Sequence, residues 1–389
     1  MLLGSLCGYL FGDRCLLIAK PAATIYMNLI KMIVVPTVFF AILYGITNIS
    51  DTNALGRLGL KAVLVYGTAT VLAVALGIII AFYLQPGVGV TLKIAKLSQQ
   101  TSSELSLATI LTGIIPTNPV AAMANGNTLQ IVFFAFVFGL ALILAKNQAK
   151  DARLIVASVT SAVFKMVELV IKTTPYGVFA IMAWIIGEQG FNLIISLSKL
   201  ALVILVAFAI QYLLFGLALA AFRLNPIKFY RKTSNIQSIA FATSSSKATI
   251  TTAIEDLQHK LGVSTGVANF ILPLGAAVNM TGSAIYITVC AVFFAQLAGI
   301  NLSNHQLAIL VLTSTIGSIG AAGYPSGAVI MLSMVLPAIG LPIDGIPLIM
   351  GIDRLLDMFR TVINVTGDCA ATVIVGRLEG SLDLNQYHK

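Results

Sequence analysis

The sequence predicts an all-α polytopic membrane protein, and three observations carry the prediction. Hydrophobic residues make up 58% of the 389, charged residues only 10%, and the mean hydropathy is +0.97. A soluble domain carries about 25% charged residues. In water this chain would expose far more apolar surface than its polar residues can cover, so bilayer is the expected solvent. Apolar stretches also recur along the whole length, most of them at or beyond the roughly 20 residues that a spanning helix needs. Finally, the apolar C-terminal stretch carries a row of charged and amide side chains at helical spacing.

Taken in order, the elements justify that class. No signal peptide leads the chain, which opens in MLLGSLCGYLFGD, an apolar stretch (1–12) too short to cross a bilayer. Further apolar stretches run over 16–47, 59–84, 107–145, 152–187, 192–222, 267–300, 306–341 and 346–376. Two interruptions stand out. FATSSSKATITT (241–252) is a run of hydroxyls inside helical sequence, and SIGAAGYPSGAVIML (318–332) is a Gly/Pro-rich break between two apolar arms. Each reads as a re-entrant hairpin, since irregular backbone at membrane depth is tolerated only where protein or a water-filled cavity satisfies it. Two broken segments in corresponding halves of a repeat are a mark of secondary transporters. A weak echo fits: hairpin then spanning helix at roughly 226–300, and again at 306–376. The helix of the first pair reads NFILPLGAAVNMTGSAIYITV, with Pro273, Gly275, Asn279 and Gly282 in its middle. Unwinding there would free carbonyl oxygens, the ligands that hard cations take; the plainer reading is a kink without a ligand role.

In the last stretch, Asp357, Arg360, Asn364 and Asp368 lie four, seven, eleven and fifteen positions after Asp353. On a helix these five fall within a stripe about 80° wide. Ionisable groups at membrane depth are costly, so they face a bundle interior and mark an ion or substrate path. Arg360 presents a planar fork that fits a carboxylate. Its bland alternative is a structural pair with Asp357, one turn away.

The net charge of +9 is not a nucleic-acid signal, because the basic residues sit in connections. Arg57 and Lys61, then Lys146, Lys150 and Arg153, then Arg223, Lys228, Arg231 and Lys232 lie between apolar stretches. By the positive-inside rule these connections are cytoplasmic. The Ser-rich hairpin then opens from the cytoplasm and the Gly/Pro-rich one from outside, one gate per side. Cys7, Cys15, Cys290 and Cys369 show no CxxC spacing and read as small buried hydrophobes.

Nearly the whole chain resembles the dicarboxylate/amino acid:cation symporters, the glutamate transporter family. KMIVVPTVFFAIL, IPTNP, TSSSKAT, LPLGAAVNMTG, SIGAAGYPSG and DRLLDMFRTVINVTGD carry the resemblance. It implies eight transmembrane helices with two re-entrant helical hairpins (near 226–260 and 306–341), a homotrimer in the plasma (inner) membrane, and an elevator mechanism. A scaffold would comprise 1–58 and 104–190, and a mobile transport domain 59–103 and 191–389. Asp357 would take the substrate amino group and Arg360 the side-chain carboxylate of aspartate or glutamate. Thr361, Asn364, Ser245, Ser246 and the 321–327 loop, with Ala322, Gly323, Tyr324 and Pro325, would complete the pocket. One cation site would use Asp368, Asn364, Asn279 and oxygens near Gly275; a second would use carbonyls at Ser318, Ile319 and Ala321. No cofactor is implied beyond the coupling ions, sodium or protons, and the partners are an acidic amino acid, membrane lipid and two further copies of the chain.

The chain departs from that pattern at several positions. The usual Asn-Met-Asp-Gly motif reads Asn279-Met280-Thr281-Gly282, so the carboxylate that would offset a sodium ion beside Tyr66, Thr70 and Asn279 is gone. Ile287 stands where mammalian members keep a proton-carrying Glu, and Lys247 where many have Ser. The arginine near the pocket is replaced by Ser244 and Met358, with Arg354 or Lys247 as substitutes. The resemblance therefore implies fewer sodium ions per substrate than in archaeal relatives, or protons instead, with Asp353 or Asp368 first in line to carry them. Three other readings stand beside the acidic amino acid one. The first is a dicarboxylate or neutral amino acid transporter. The second is an anion-conducting channel. The third is a Ser–Lys intramembrane hydrolase built on Ser245, Ser246 and Lys247.

Overall fold

A computed structural model describes residues 2–47, 57–88, 115–189, 192–320 and 327–389. Among the described residues there is no β-strand; one isolated bridge pairs Val263 with Leu382. The first group of helices is α1 (Leu2–Thr47), α2 (Arg57–Leu84), α3 (Pro119–Ala124), α4 (Thr128–Leu144), α5 (Lys150–Lys172) and α6 (Thr174–Gln189). α1 bends at Gly12, whose φ of 45° lies in the left-handed region open to a residue without Cβ. α1 packs on α4, α5 and α6. Gly4 and Gly8 let it lie against the α6 backbone: an added Cβ would meet the carbonyl oxygens of Phe179 and Ala183 at 2.5 and 2.3 Å. Small residues at such crossings are how helices approach closely in lipid.

The second group is α7 (Asn192–Ala221), α8 (Pro226–Thr243), α9 (Ser246–His259), α10 (Thr265–Val278), α11 (Thr281–Leu297), α12 (Asn304–Gly320), α13 (Gly327–Ala338), α14 (Ile346–Leu378) and α15 (Leu384–His388). α14 is the hub, touching α2 and each of α6 to α11, as well as α13. α2 leaves the first group and packs on α11 and α7.

Among the described residues, four stretches are long and apolar enough to cross a membrane: Gly59–Leu84, Ile195–Ala221, Thr265–Leu297 and Leu348–Leu378. The first two are largely exposed, as lipid-facing helices are, whereas the last two are enclosed by protein. The pair Lys146–Val170 and Pro175–Trp184, bent by 51°, adds a fifth span if taken as one.

Two of the interruptions found in the sequence have a counterpart among the described residues. α8 ends at Ser244, a non-glycine residue at φ 51°, and Ser245 starts α9 as its N-cap. α12 and α13 pack together on either side of residues 321–326, which lie outside the described residues. Between α10 and α11 the helix opens at Asn279, which is extended (φ −97°, ψ 91°), while Pro273 stays inside α10.

The C-terminal tail straps the base of the α8–α9 pair. Lys232 donates to the carbonyls of Lys260, Gln386 and Tyr387 at 2.8, 2.8 and 2.9 Å, so one ammonium caps the C-terminal ends of α9 and α15. Tyr387 is buried and its hydroxyl donates to the Asn225 carbonyl at 3.0 Å. The cysteines divide. Cys290 and Cys369 are buried, as expected of small hydrophobes, but Cys7 and Cys15 are half-buried thiols 3.2 Å apart across the Gly12 bend. The bend brings together two residues that a straight helix would hold about 12 Å apart.

Candidate functional site

The row on α14 is buried as a whole. Asp353, Asp357, Arg360 and Asp368 are each 2% exposed and Asn364 is 4% exposed. It divides into two clusters on either side of Asn364.

The first cluster is a closed ion network. Arg360 donates from Nη1 to Asp353 Oδ1 at 3.1 Å and from Nη2 to Asp357 Oδ1. Its guanidinium lies over the Tyr286 ring of α11, 4.5 Å from the centroid, a cation–π contact out of water. Arg354, largely exposed, approaches Asp357 Oδ2 from outside at 3.8 Å. The Thr361 hydroxyl donates to the Asp357 carbonyl at 2.8 Å. Arg360 thus binds both carboxylates, where the sequence weighed a pair with Asp357 alone. Asp353, seven residues before Arg360, lies two turns away and still within reach of the fork. Tyr286, which sequence reasoning passed over, stands five residues into α11, beyond the break at Asn279.

The second cluster gathers oxygens. Asp368 Oδ1 accepts from Asn279 Nδ2 at 2.9 Å. The buried Asn279 Oδ1 and Thr281 Oγ1 have no partner among the described residues. Two glycines make the convergence possible. A Cβ on Gly275 would meet Tyr66 Oη at 2.5 Å and Asp368 Oδ1 at 2.7 Å; one on Gly367 would meet Thr281 Oγ1 at 3.2 Å. The Gly275 carbonyl accepts from the Asn279 N–H at 2.7 Å, which leaves a second lone pair. A buried acceptor without a donor costs about 1–3 kcal/mol. A set of such oxygens around one carboxylate fits a small hard cation, which is bound by oxygens of these kinds.

Asn364 joins the two clusters. Its Oδ1 accepts from the N–H groups of Gly282 and Ser283 at 2.8 and 3.4 Å, capping the first turn of α11 from a neighbouring helix. The N-cap residue of α11, Met280, offers no side-chain bond of its own.

The remaining expected residues fall as follows. Ser245 Oγ accepts from the Ala248 N–H at 3.4 Å, and Ser246 is buried in the first turn of α9. Both helices of that pair pack on α14, with Phe241 edge-on to Phe359 beside Arg360. Ser318 is buried in α12 and donates to the Thr315 carbonyl at 2.8 Å; Ile319 lies in the same helix. Ala321, Ala322, Gly323, Tyr324 and Pro325 lie outside the described residues. Lys247 reaches over the Phe164 ring of α5, 4.8 Å from the centroid.

A charge-bearing helix sealed inside a bundle of apolar helices defines a membrane protein built around a charged cargo. The chain belongs to the sodium:dicarboxylate symporter family, whose model matches residues 1–378. That family is one of transporters, not enzymes. The chain is 35% identical to the proton/glutamate-aspartate symporter of Escherichia coli (strain K12), over 98% of this chain and 91% of that protein. It is 32% identical to the proton/sodium-glutamate symport protein of Bacillus subtilis (strain 168), over 93% and 86%. It is 33% identical to the C4-dicarboxylate transport protein of Rhizobium etli, over 94% and 85%.

Proposed function

We propose that this member is a secondary active transporter that takes up aspartate or glutamate with coupling cations. The Asp357–Arg360 pair carries the reading. Arg360 offers a fork for a side-chain carboxylate, and Asp357, released from that fork, offers an anion for the α-ammonium. A plain dicarboxylate has no ammonium to set against Asp357. The Asn279–Thr281–Asp368 oxygens seat a cation, and Thr281 in place of a carboxylate leaves fewer seats for sodium than the family's usual motif.

The transport cycle we infer is the elevator of the family: α1 with α4 to α6 as the static scaffold, the α14-centred bundle as the moving part. That α1 packs chiefly on α4 to α6, and α14 chiefly within the second group, supports that division. Eight spans, re-entrant pairs α8–α9 and α12–α13, a homotrimer and an inner-membrane orientation with basic connections in the cytoplasm complete the reading.

A second reading, C4-dicarboxylate transport, has the Rhizobium relative in its favour. Uptake of labelled aspartate, glutamate and succinate into proteoliposomes decides between them, under a sodium gradient, a proton gradient, both and neither. Gradient-driven aspartate or glutamate uptake is expected; uptake of succinate alone would replace the proposal with the second reading.

A further inference from the structure

We propose that Asp353 carries a proton inward with each acidic amino acid, taking it up when the substrate's carboxylate displaces it from Arg360. The inference rests on the acidic amino acid reading of the same site. Before substrate arrives, two carboxylates and one guanidinium share the buried cluster, a single net negative charge. An acidic amino acid brings one more negative charge. Its ammonium goes to Asp357 and its side-chain carboxylate to Arg360, so Asp353, 2% exposed, loses the one cation bonded to it among the described residues. An isolated buried carboxylate is not held as an anion; it takes a proton. That proton forms one O–H bond on Asp353, the Asp353–Arg360 bonds break, and the buried charge returns to its starting value.

Among the described residues, no second cation bonds Asp353. The other titratable groups that feel its charge are Tyr286 and Cys290 on α11, neither of them a cation. Arg354, on the next turn face, is largely exposed and directed at Asp357. Of the other helices packed on α14, α10 and α13 bring no ionisable side chain, α6 brings Tyr176 and Glu188, neither a cation, and α7 brings an exposed Lys199 and Tyr212, whose hydroxyl donates to Gln237. α2 brings Tyr66 to the Asp368 cluster, α8 commits Lys228 and Lys232 to the tail carbonyls, and α9 sends Lys247 to Phe164. Asp368, the other carboxylate considered for the proton, keeps its Asn279 partner and its oxygen cage whether or not Arg360 changes partner.

The test is proton counting on the purified protein. Aspartate is added in weakly buffered detergent solution with a pH indicator, and binding is followed by calorimetry at several pH values. The wild type is expected to take up about one proton per aspartate bound, with affinity rising up to about tenfold per pH unit as pH falls. Asp353→Asn removes both the proton and the pH slope, whatever its absolute affinity; Asp353→Glu keeps them. Aspartate binding without proton uptake by the wild type, or an unchanged proton count in Asp353→Asn, overturns the inference and leaves the transporter reading intact. No calorimetric binding of either acidic amino acid by the wild type overturns that reading, and the inference with it.

Discussion

Two clusters on one helix, with Arg360 and Asp368 eight residues apart at their facing ends, have opposite electrostatic states. Around Arg360 the charges are met: the guanidinium has two carboxylates and an aromatic face. Around Asp368 acceptors outnumber donors, and Asn279 Oδ1 and Thr281 Oγ1 are left over. A closed network admits a ligand only by exchange, since something must leave Arg360 before something else can bind it. An acceptor-rich cluster admits a cation by addition. The first therefore suits a cargo that brings its own charges, and the second an ion that supplies what the cluster lacks. Asn364 holds both in register through the start of α11, so an event at one reaches the other through a single side chain.

The contrast breaks most sharply at Arg360. Arg360→Ala removes the fork and leaves Asp353 and Asp357 facing each other with no buried cation. Taking one partner from a buried ion pair costs about 3–5 kcal/mol. Binding of aspartate by the purified variant should fall at least a hundredfold while the protein still inserts in the membrane. Retained aspartate uptake would overturn the pocket assignment. Next comes Asp368→Asn, which takes the only formal charge from the oxygen cluster. A hydrogen bond to a charged group contributes about 1.5–3 kcal/mol. The cation concentration for half-maximal uptake should rise by ten- to a hundredfold, with affinity at saturating cation less affected. An equal fall in both would merge the two clusters into one site.

Thr281→Asp sharpens the comparison from the other direction. It returns a carboxylate to the cluster beside Tyr66 and Asn279, and sodium should then stimulate uptake more steeply than in the wild type. An ion stoichiometry unchanged in flux ratios would sink the idea that Thr281 sets the number of sodium seats. Tyr286 probes the closed network with a smaller effect. A cation–π contact out of water contributes about 2 kcal/mol. Tyr286→Leu should weaken aspartate binding about thirtyfold, and Tyr286→Phe, which keeps the ring, only slightly. Equal losses in both would mean that the hydroxyl near Asp353, not the ring face, is what matters.

The α14 row and the breaks at Ser244 and Asn279 were legible in the sequence because their signals are local. Helical spacing puts Asp353 to Asp368 on one stripe, and hydroxyl, Gly and Pro chemistry interrupts helices where it occurs. The partners were not legible. Whether Arg360 takes Asp357 alone or Asp353 as well depends on the wall that Tyr286 forms, and α11 reaches that wall through a helix break. Asn364 reads as a pocket or ion ligand, and nothing local shows that it also caps a helix through the Gly282 N–H, 82 residues away. The tail clamp through Lys232 joins positions 154 and 155 residues apart and has no periodic signature.

Lys247 gives the smallest expected effect and the clearest separation between sequence and structure. Its place in the Ser-rich tip offers it as a substitute for the family's pocket arginine. Its ammonium lies over Phe164, so it links the tip of the α8–α9 pair to α5 in the other helix group. An exposed cation–π contact contributes about 0.5–1 kcal/mol, a two- to fivefold change in the equilibrium it biases. Lys247→Ser should therefore change the rate of uptake a few-fold and leave its sodium and pH dependence where they were. Phe164→Leu should do the same, and the double variant no more than either alone, because both changes remove one contact. A shift in ion dependence in Lys247→Ser, absent from Phe164→Leu, would return Lys247 to the binding site and extend the closed network from α14 to the hairpin tip.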